Sequence, residues 1–204
     1  MVTQAEISVE TTRQDNVERI LDSAERLFRH YGYTKTNVAD IARDLGMSPA
    51  NIYRFFPSKV AIHQAIAERM LNVMYVALLT ISKVDMSACD RLRQYAESNY
   101  QFTIDMMTSE KKVHEMVIVA LEQHWPVVEH HMDRVQAVLQ MVIRQGIDAG
   151  EFPEQDEVVA ARCFCACLAQ TSHPVLVAQF SGDSRAPTIQ QLVQFGINGL
   201  KCGR

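Results

Sequence analysis

A short stretch of the chain, residues 48–59, carries side chains that can hydrogen-bond the bases and phosphates of a nucleic acid. Asn51 can bind adenine through two hydrogen bonds, Arg54 can bind guanine or phosphate, and Ala50 can contact a thymine methyl group. Lys59 stands at the predicted start of a helix, where unpaired N–H groups and the helix dipole favour phosphate. Contacts to base edges give sequence specificity, whereas contacts to phosphates position the protein on the nucleic acid. Asn51 and Arg54 are therefore expected to carry sequence preference.

The apolar residues of this stretch indicate which of its sides faces outward. Met47, Ile52 and Phe56 have the spacing of a helix face that points into a small core. The outward-facing residues are then Pro49, Ala50, Asn51, Tyr53 and Arg54. Two alternatives stay open, in which Tyr53 is half-buried in the core or Arg54 pairs with an acidic neighbour.

A longer amphipathic helix precedes this stretch. From Asp15 onward, apolar residues recur at spacings of three and four, which is typical of one helix face. Asp15 and Glu18 have the spacing of a capping box, and Gly32 supplies a C-terminal stop. The pattern predicts a helix over 15–31, preceded by a mobile polar arm over 1–12.

Two short helices follow and position the polar stretch. Thr36 as N-cap and Gly46 as stop predict a helix over 37–45. Ser48 as N-cap, followed by a proline at the first helical position, predicts another over 49–55. Two short helices with such a turn form a helix-turn-helix, whose second helix enters a DNA major groove. The alternative is an ordinary pair of helices in a helical bundle.

The remainder of the chain predicts further helices, and strict two-residue alternation typical of strands is missing. Ser58 is the expected cap of a long fourth helix. The predicted helices cover 59–81, 88–108, 110–123, 126–149, 156–180 with a kink at Pro174, and 187–200. We therefore predict an all-α fold with a helix-turn-helix DNA-binding domain over 13–62 and a helical ligand-binding and dimerisation domain over 63–204.

The segment AERLFRHYGYTKTNVADIARDLGMSPANIYRFFPSK closely resembles the N-terminal domain of the tetracycline-repressor (TetR) family. The matching positions include Gly32-Tyr33, Ile41-Ala42 and Ser58-Lys59, and the resemblance covers about 13–62. Beyond residue 70 only size and helical character match. The resemblance implies a bacterial DNA-binding transcriptional regulator of the repressor type.

The resemblance also implies roles for single residues. It implies phosphate contacts from Thr36, Tyr53 and Lys59. It implies a base-reading face over Ser48 to Arg54, and we add Arg43 as a further phosphate contact. Phe55 departs from the family, whose members often carry His there. A contact with the DNA backbone is therefore lost or is supplied by Arg54.

The C-terminal part is expected to form a homodimer, because one short recognition helix reads few bases and such proteins commonly bind paired half-sites. The run 163–169 is apolar all round, which predicts burial on two sides. The last helix carries an apolar face as well. We expect pairing through helices 156–180 and 187–200, where TetR-like proteins also pair, on palindromic half-sites of double-stranded DNA.

Three predicted helices place a polar residue inside an apolar stripe: Asn99, His124 and His131. Buried polar groups need partners, and a bound ligand or ordered water is one solution. Hydrogen bonding within a plain core is the alternative. The expected pocket for a small hydrophobic ligand comprises Tyr95, Asn99, Phe102, Met106, Met116, His124, Trp125, His131, Phe164 and Leu168.

No metal site or cofactor is expected. Cys163, Cys165 and Cys167 are two residues apart on a predicted helix, so their thiols cannot converge on one ion. His114 begins a zinc-protease-like motif, but Ile118 stands where its second His belongs. The chain also lacks the nucleophile elbow and the phosphate-binding loop, which argues against an enzyme.

Composition bounds the cellular setting. Five cysteines and no basic-then-apolar start predict a reduced, cytoplasmic protein. The longest uncharged run, 163–182, contains several polar residues, so no membrane span is expected. Net charge is −4, yet residues 13–70 carry nine basic against seven acidic residues, whereas 71–204 carry eleven against fifteen. The DNA-binding half is thus mildly basic.

Two functional hypotheses follow. The first is a repressor that a small apolar ligand releases from its operator. The second is a DNA-binding protein without an inducer, which acts through a protein partner or in chromosome organisation. Stabilisation of the protein by apolar compounds would favour the first.

Overall fold

The computed structural model describes the backbone of residues 4–108, 117–120, 123 and 125–202. Throughout these residues the regular structure is helical and no strand is present, which confirms the all-α prediction. The described helices are α1 (Gln4–Tyr31), α2 (Val38–Leu45), α3 (Pro49–Tyr53), α4 (Lys59–Ile81), α5 (Ala88–Thr108), α6 (Pro126–Asp148), α7 (Glu157–Cys167), α8 (Ala169–Ser172), α9 (Pro174–Phe180) and α10 (Ile189–Cys202).

The first helix is longer than its sequence predicted. It begins by Gln4, so residues 4–12 continue the helix and do not form the expected arm. Asp15 and Glu18, which have the spacing of a capping box, lie inside it. The polar segment lacks an apolar face, and residues such as Glu, Gln and Arg are good helix formers without tertiary contacts.

The helix-turn-helix forms as predicted, with one change of cap. Asn37 and not Thr36 caps α2, because its side chain accepts from the N–H of Asp40, whose carboxylate accepts in return from the N–H of Asn37. Gly46 ends α2 at a φ of 65°, a conformation that glycine adopts without strain. Ser48 caps α3 through the N–H of Asn51.

Two hydrophobic cores lie along α4. The smaller core joins α1, α2 and α3 and takes Ile62 and Ile66 from α4. The larger core joins α5, α6, α7 and α10 and takes Met74 and Leu78 from α4. Val73, between these two sets on the same helix, is exposed. One helix of 23 residues therefore belongs to both units.

The predicted helix over 156–180 is broken into three. Thr171 and Ser172 both donate their hydroxyls to the carbonyl of Leu168, and such side-chain bonds compete with a continuing helix. Pro174 then begins a new helix, and the residue before a proline is driven to extended backbone, as His173 is here. This broken segment packs across α5.

Most of the predicted helix over 110–123 lies outside the described residues. Within this range, residues 117–120 are described and are helical. Met116 and His124, two of the expected ligand residues, also lie outside them. None of the described helices is long and apolar enough to cross a membrane. The described residues contain no cluster of three or more potential metal ligands.

Candidate nucleic-acid interface and pocket

The outward face of α3 carries the predicted DNA-reading residues. Ile52 and Phe56 are buried and Met47 packs beside them, which turns the opposite side of the helix to solvent. That side presents Ser48, Pro49, Ala50, Tyr53 and Arg54 as exposed residues and Asn51 as a half-buried one. Tyr53 is 52% exposed, so it is not a core residue.

Two arginines supply positive charge around this face. Arg54 forms no ion pair within the described part of the chain, so its guanidinium remains available. Arg43 on α2 pairs with Asp40 at 3.1 Å, but its side chain is 78% exposed. An exposed pair of this kind contributes little, so phosphate can compete for the guanidinium.

Thr36 does not lie at the surface. Its side chain is buried, and its hydroxyl donates to the carbonyl of Gly32 at 3.0 Å. This bond ties the turn after α1 to the start of α2. The phosphate contact that the resemblance implied for this hydroxyl therefore disagrees with its position.

Lys59 is also used inside the protein. Its ammonium donates to the carbonyls of Tyr33 at 2.9 Å and Thr36 at 3.0 Å, and it lies 4.2 Å from the centre of the Tyr33 ring. Desolvation by burial lowers the pKa of Lys59. The side chain thus fastens the start of α4 to the turn between α1 and α2. What remains for phosphate is the backbone N–H groups of the first turn of α4.

Ion pairs join the helices of the small core. Arg69 on α4 contacts three carboxylates of α1, those of Glu18, Asp22 and Glu25, at 3.3, 2.6 and 2.5 Å. Together with Lys59, this network holds α4 against the DNA-binding unit along about three turns. A displacement of this part of α4 must therefore carry the helix-turn-helix with it.

The larger unit forms a partly open cavity of about 370 Å³ between α4, α5, α6 and the broken segment α7 to α9. Six of the expected ligand residues line it, namely Tyr95, Asn99, Phe102, Met106, His131 and Leu168. Two others do not. Phe164 packs against the backbone of Gly196 on α10, and Trp125 lies behind the cavity wall with its ring against His63.

The sequence did not reveal that α4 forms one wall of the cavity. His63, Met70 and Met74 line the cavity from this helix, and Thr103 and Cys165 line it from others. A polar residue in an apolar stripe was the signal used for Asn99 and His131. The same signal marks His63 between Ile62 and Ile66, at the first residue of the domain predicted over 63–204.

Two histidines that line the cavity have buried ring nitrogens without a hydrogen-bond partner among the described residues. Nδ1 of His63 and both ring nitrogens of His131 are buried and accept or donate no hydrogen bond among the described residues. Desolvation lowers the pKa of each to about 4, so both rings are neutral at pH 7. By contrast, the Thr103 hydroxyl donates to the carbonyl of Asn99 at 2.9 Å.

His63 connects the cavity to the DNA-binding unit. Its ring lies 4.5 Å from that of Tyr33 and 5.8 Å from that of Phe28, both in the smaller core. On its other side it meets Trp125 edge-on at 4.6 Å, at the start of α6. Residues of both units thus surround one side chain of the cavity wall.

Two sequence families match the chain. "Bacterial regulatory proteins, tetR family" matches residues 20–66, and "Tetracyclin repressor-like, C-terminal domain" matches residues 88–193. The chain belongs to the TetR family of transcriptional regulators. This membership confirms the regulator class over the enzyme class, and TetR regulators bind DNA operators and dimerise.

Similar proteins agree with the TetR assignment. The chain is 24% identical over 122 residues to the biofilm operon icaADBC HTH-type negative transcriptional regulator IcaR of Staphylococcus epidermidis, covering 60% of this chain and 64% of that one. It is 40% identical over 48 residues to the uncharacterized HTH-type regulator YxaF of Bacillus subtilis, covering 24% and 25%. The chain thus spans less than two thirds of either relative.

The fold is shared with solved structures. A TetR/AcrR-family regulator from Thermobifida fusca superposes with a TM-score of 0.66 at 19% identity, covering 91% of this chain and 98% of that one. A transcriptional regulator from Pseudomonas aeruginosa also superposes with a TM-score of 0.66, at 18% identity over 93% and 92%. At such identities the likeness establishes the TetR architecture of both domains.

Proposed function

We propose that this TetR-family chain is a dimeric repressor that leaves its DNA operator when a small, mainly apolar ligand enters the cavity. The observation that carries the proposal is the position of α4. Its first half is fastened by Lys59 and Arg69 to α1 and to the turn that follows α1 in the DNA-binding unit, and the same helix lines the cavity with His63, Met70 and Met74.

The DNA contacts divide into two groups. Asn51 and Arg54 on α3 read base edges in the major groove, and Ala50 contacts a methyl group. Tyr53, Arg43 and the N-terminal turn of α4 bind phosphates and position α3. Thr36 and the Lys59 ammonium hold the domain together and stay outside this proposed interface.

The dimer surface is formed by α7 and α10. These helices pack on each other, with Phe164 against Gly196, and turn apolar side chains outward. Phe195 is 71% exposed and Val159 is 52% exposed, and the exposed residues Cys163 and Ala166 extend the Val159 face along α7 at helical spacing. Large apolar side chains at this exposure, on the faces of two adjacent helices, fit a second copy of the chain.

Release follows from the geometry of the dimer. Two recognition helices enter successive major grooves only at a spacing of about 34–36 Å. Because α4 is about 34 Å long at 1.5 Å per residue, a small tilt of this helix moves its far end by several ångströms. A ligand that fits the cavity better in the tilted state than in the DNA-bound state shifts the population to the former.

Binding to DNA can be tested without knowing the operator. A random duplex library is selected on the purified protein, and the affinity for the selected duplex is measured by fluorescence anisotropy. Asn51→Ala and Arg54→Ala should each weaken binding by about 1–3 kcal/mol and relax the base preference. Arg185→Ala, an exposed arginine of the body, is the matched control and should change neither. Equal selection of all sequences by the unmodified protein would contradict the proposed base readout.

Release is tested on the same complex. Compounds that raise the unfolding temperature of the free dimer should displace it from the selected duplex. Compounds that stabilise the dimer but never displace it would favour the second hypothesis, DNA binding without an inducer.

A further inference from the structure

The cavity combines an apolar wall with a few unpartnered polar atoms. Met70, Met74, Phe102 and Val135 are among its apolar lining residues. Across the described lining residues, none is Asp, Glu, Lys or Arg. Among these described residues a cationic ligand meets no carboxylate, and an anionic ligand meets no ammonium or guanidinium. The positive charges of Lys59 and Arg134, which act on His63 and His131, belong to residues outside the lining. Burying the charge of either ligand without a partner is costly.

The polar atoms that need partners belong to two neutral imidazoles. His131 is 4% exposed with both nitrogens unpartnered, and His63 is 2% exposed with Nδ1 unpartnered. A buried polar group left unpaired destabilises a protein, so each ring favours an occupant that restores a hydrogen bond. Because a neutral imidazole has one N–H and one bare nitrogen, a hydroxyl can pair with either, as acceptor or as donor.

We infer that the cavity binds an uncharged, mainly apolar molecule that carries a hydroxyl group, and that His131 is the principal partner of this hydroxyl, with His63 the second. The inference rests on the proposed function in that it concerns the same cavity. It goes further by assigning the ligand its charge, its polar group and the side chains that recognise it.

A matched series of four compounds tests the ligand class on the unmodified protein. They share one apolar body and differ in one group: 4-butylphenol, butylbenzene, 4-butylbenzoate and (4-butylphenyl)trimethylammonium. Isothermal titration calorimetry should give the tightest binding for 4-butylphenol, about threefold to tenfold tighter than butylbenzene, as one added hydrogen bond implies. Both charged compounds should bind at least about tenfold more weakly than the phenol. Equal binding of phenol and butylbenzene, tighter binding of a charged compound, or no binding by any of the four would overturn the inference.

Histidine variants identify the partner of the hydroxyl. His131→Phe keeps an aromatic ring and should remove most of the preference for 4-butylphenol over butylbenzene, while binding of butylbenzene changes less than about twofold. His63→Phe should have a smaller effect in the same direction. His130→Phe, the exposed neighbour on α6, is the matched control and should leave the preference intact. A preference for the phenol that survives in both His131→Phe and His63→Phe would contradict the assignment.

The same compounds separate this inference from the proposed function. If 4-butylphenol binds as expected but does not displace the selected DNA, the ligand class stands and the release mechanism fails. If a charged compound displaces DNA and the phenol does not, release stands and the ligand class fails.

Discussion

The two units that share α4 differ in whether their buried polar groups have hydrogen-bond partners. In the DNA-binding unit, the interior polar groups of Thr36 and Lys59 have partners, and ion pairs from Arg69 brace the outside. In the larger unit, a cavity of about 370 Å³ remains and His131 has no partner among the described residues. Hydrogen bonds and ion pairs of this kind keep the DNA-binding unit in one shape, which suits a surface that must match DNA. A unit with a cavity and unpaired groups is stabilised when an occupant enters, which suits a sensor.

Disrupting the outer face of the larger unit should give the largest effect. Phe195→Glu places a charge in the proposed dimer contact and should convert the protein to monomers in light scattering, with loss of operator binding. Leu192 is a poorer choice, because it packs against the core of its own chain. Gln194→Glu, on the same helix, is the control and should remain dimeric. A dimeric Phe195→Glu protein would remove α10 from the interface.

Removing the Lys59 ammonium tests what stabilises the DNA-binding unit. Lys59→Met keeps the length of the side chain but leaves the carbonyls of Tyr33 and Thr36 without their donor. The free energy of unfolding of this unit, measured in urea, should fall by about 2–3 kcal/mol. Lys35→Met, an exposed lysine in the adjacent turn, should change it by less than about 0.5 kcal/mol. An unchanged stability with a loss of DNA affinity would return Lys59 to the phosphate-contact role that the resemblance implied.

Lowering the pH tests the two histidines of the cavity. Their pKa of about 4 in the folded chain lies below the ordinary value of 6.5, so the folded state disfavours their protonation. Stability from this source is complete above about pH 6.5 and is lost as the pH falls toward 4. Between pH 7 and pH 5, each histidine should account for about 2 kcal/mol of lost unfolding free energy.

Replacing His131 with Phe should remove its share of this pH dependence. The His130→Phe control should retain most of the dependence, because burial is the largest and the charge of His130 the smallest of the causes that lower the pKa of His131. Identical losses in the unmodified protein and in His131→Phe would show that His131 is protonated as readily in the folded chain as in the unfolded one.

Changing the salt concentration in DNA-binding measurements should have the smallest of these effects. With Lys59 used internally, Arg43 on phosphate and Arg54 in the major groove are the two proposed cationic contacts of each subunit. Four such cations per dimer predict a slope of about −3 to −4 in a plot of log affinity against log salt concentration. A slope twice as steep would show that further cations, Lys59 among them, reach the DNA.

The sequence predicted the elements whose ends carry strong local signals. Ser58 marked the start of α4, and Gly46 with Ser48 marked the turn before α3. Where the local signal was ambiguous, prediction failed. The start of α1 was placed about eleven residues too late, because a polar helix has no apolar periodicity to reveal it.

The exposure of the candidate residues was predictable where the face of a helix determines it. Their contacts were missed where the reach of a side chain determines them. The outward face of α3 follows from the spacing of Ile52 and Phe56. The destination of the Lys59 ammonium does not follow from its place at a helix start, because a flexible four-carbon stem lets it reach the carbonyls behind it. Likewise, His63 enters the cavity only because α4 crosses from one core to the other, which is a property of the tertiary fold.

The central claim is that occupancy of the cavity and binding of the operator exclude each other through α4. Linkage makes this reciprocal, so a ligand that weakens DNA binding must itself bind more weakly to the DNA complex by the same factor. The most direct measurement is the Kd of 4-butylphenol for the free dimer and for the dimer saturated with its selected duplex. We expect the Kd to be about 5- to 150-fold higher in the DNA complex, matching the factor by which the compound weakens DNA affinity. Equal Kd values in the two states would contradict the account.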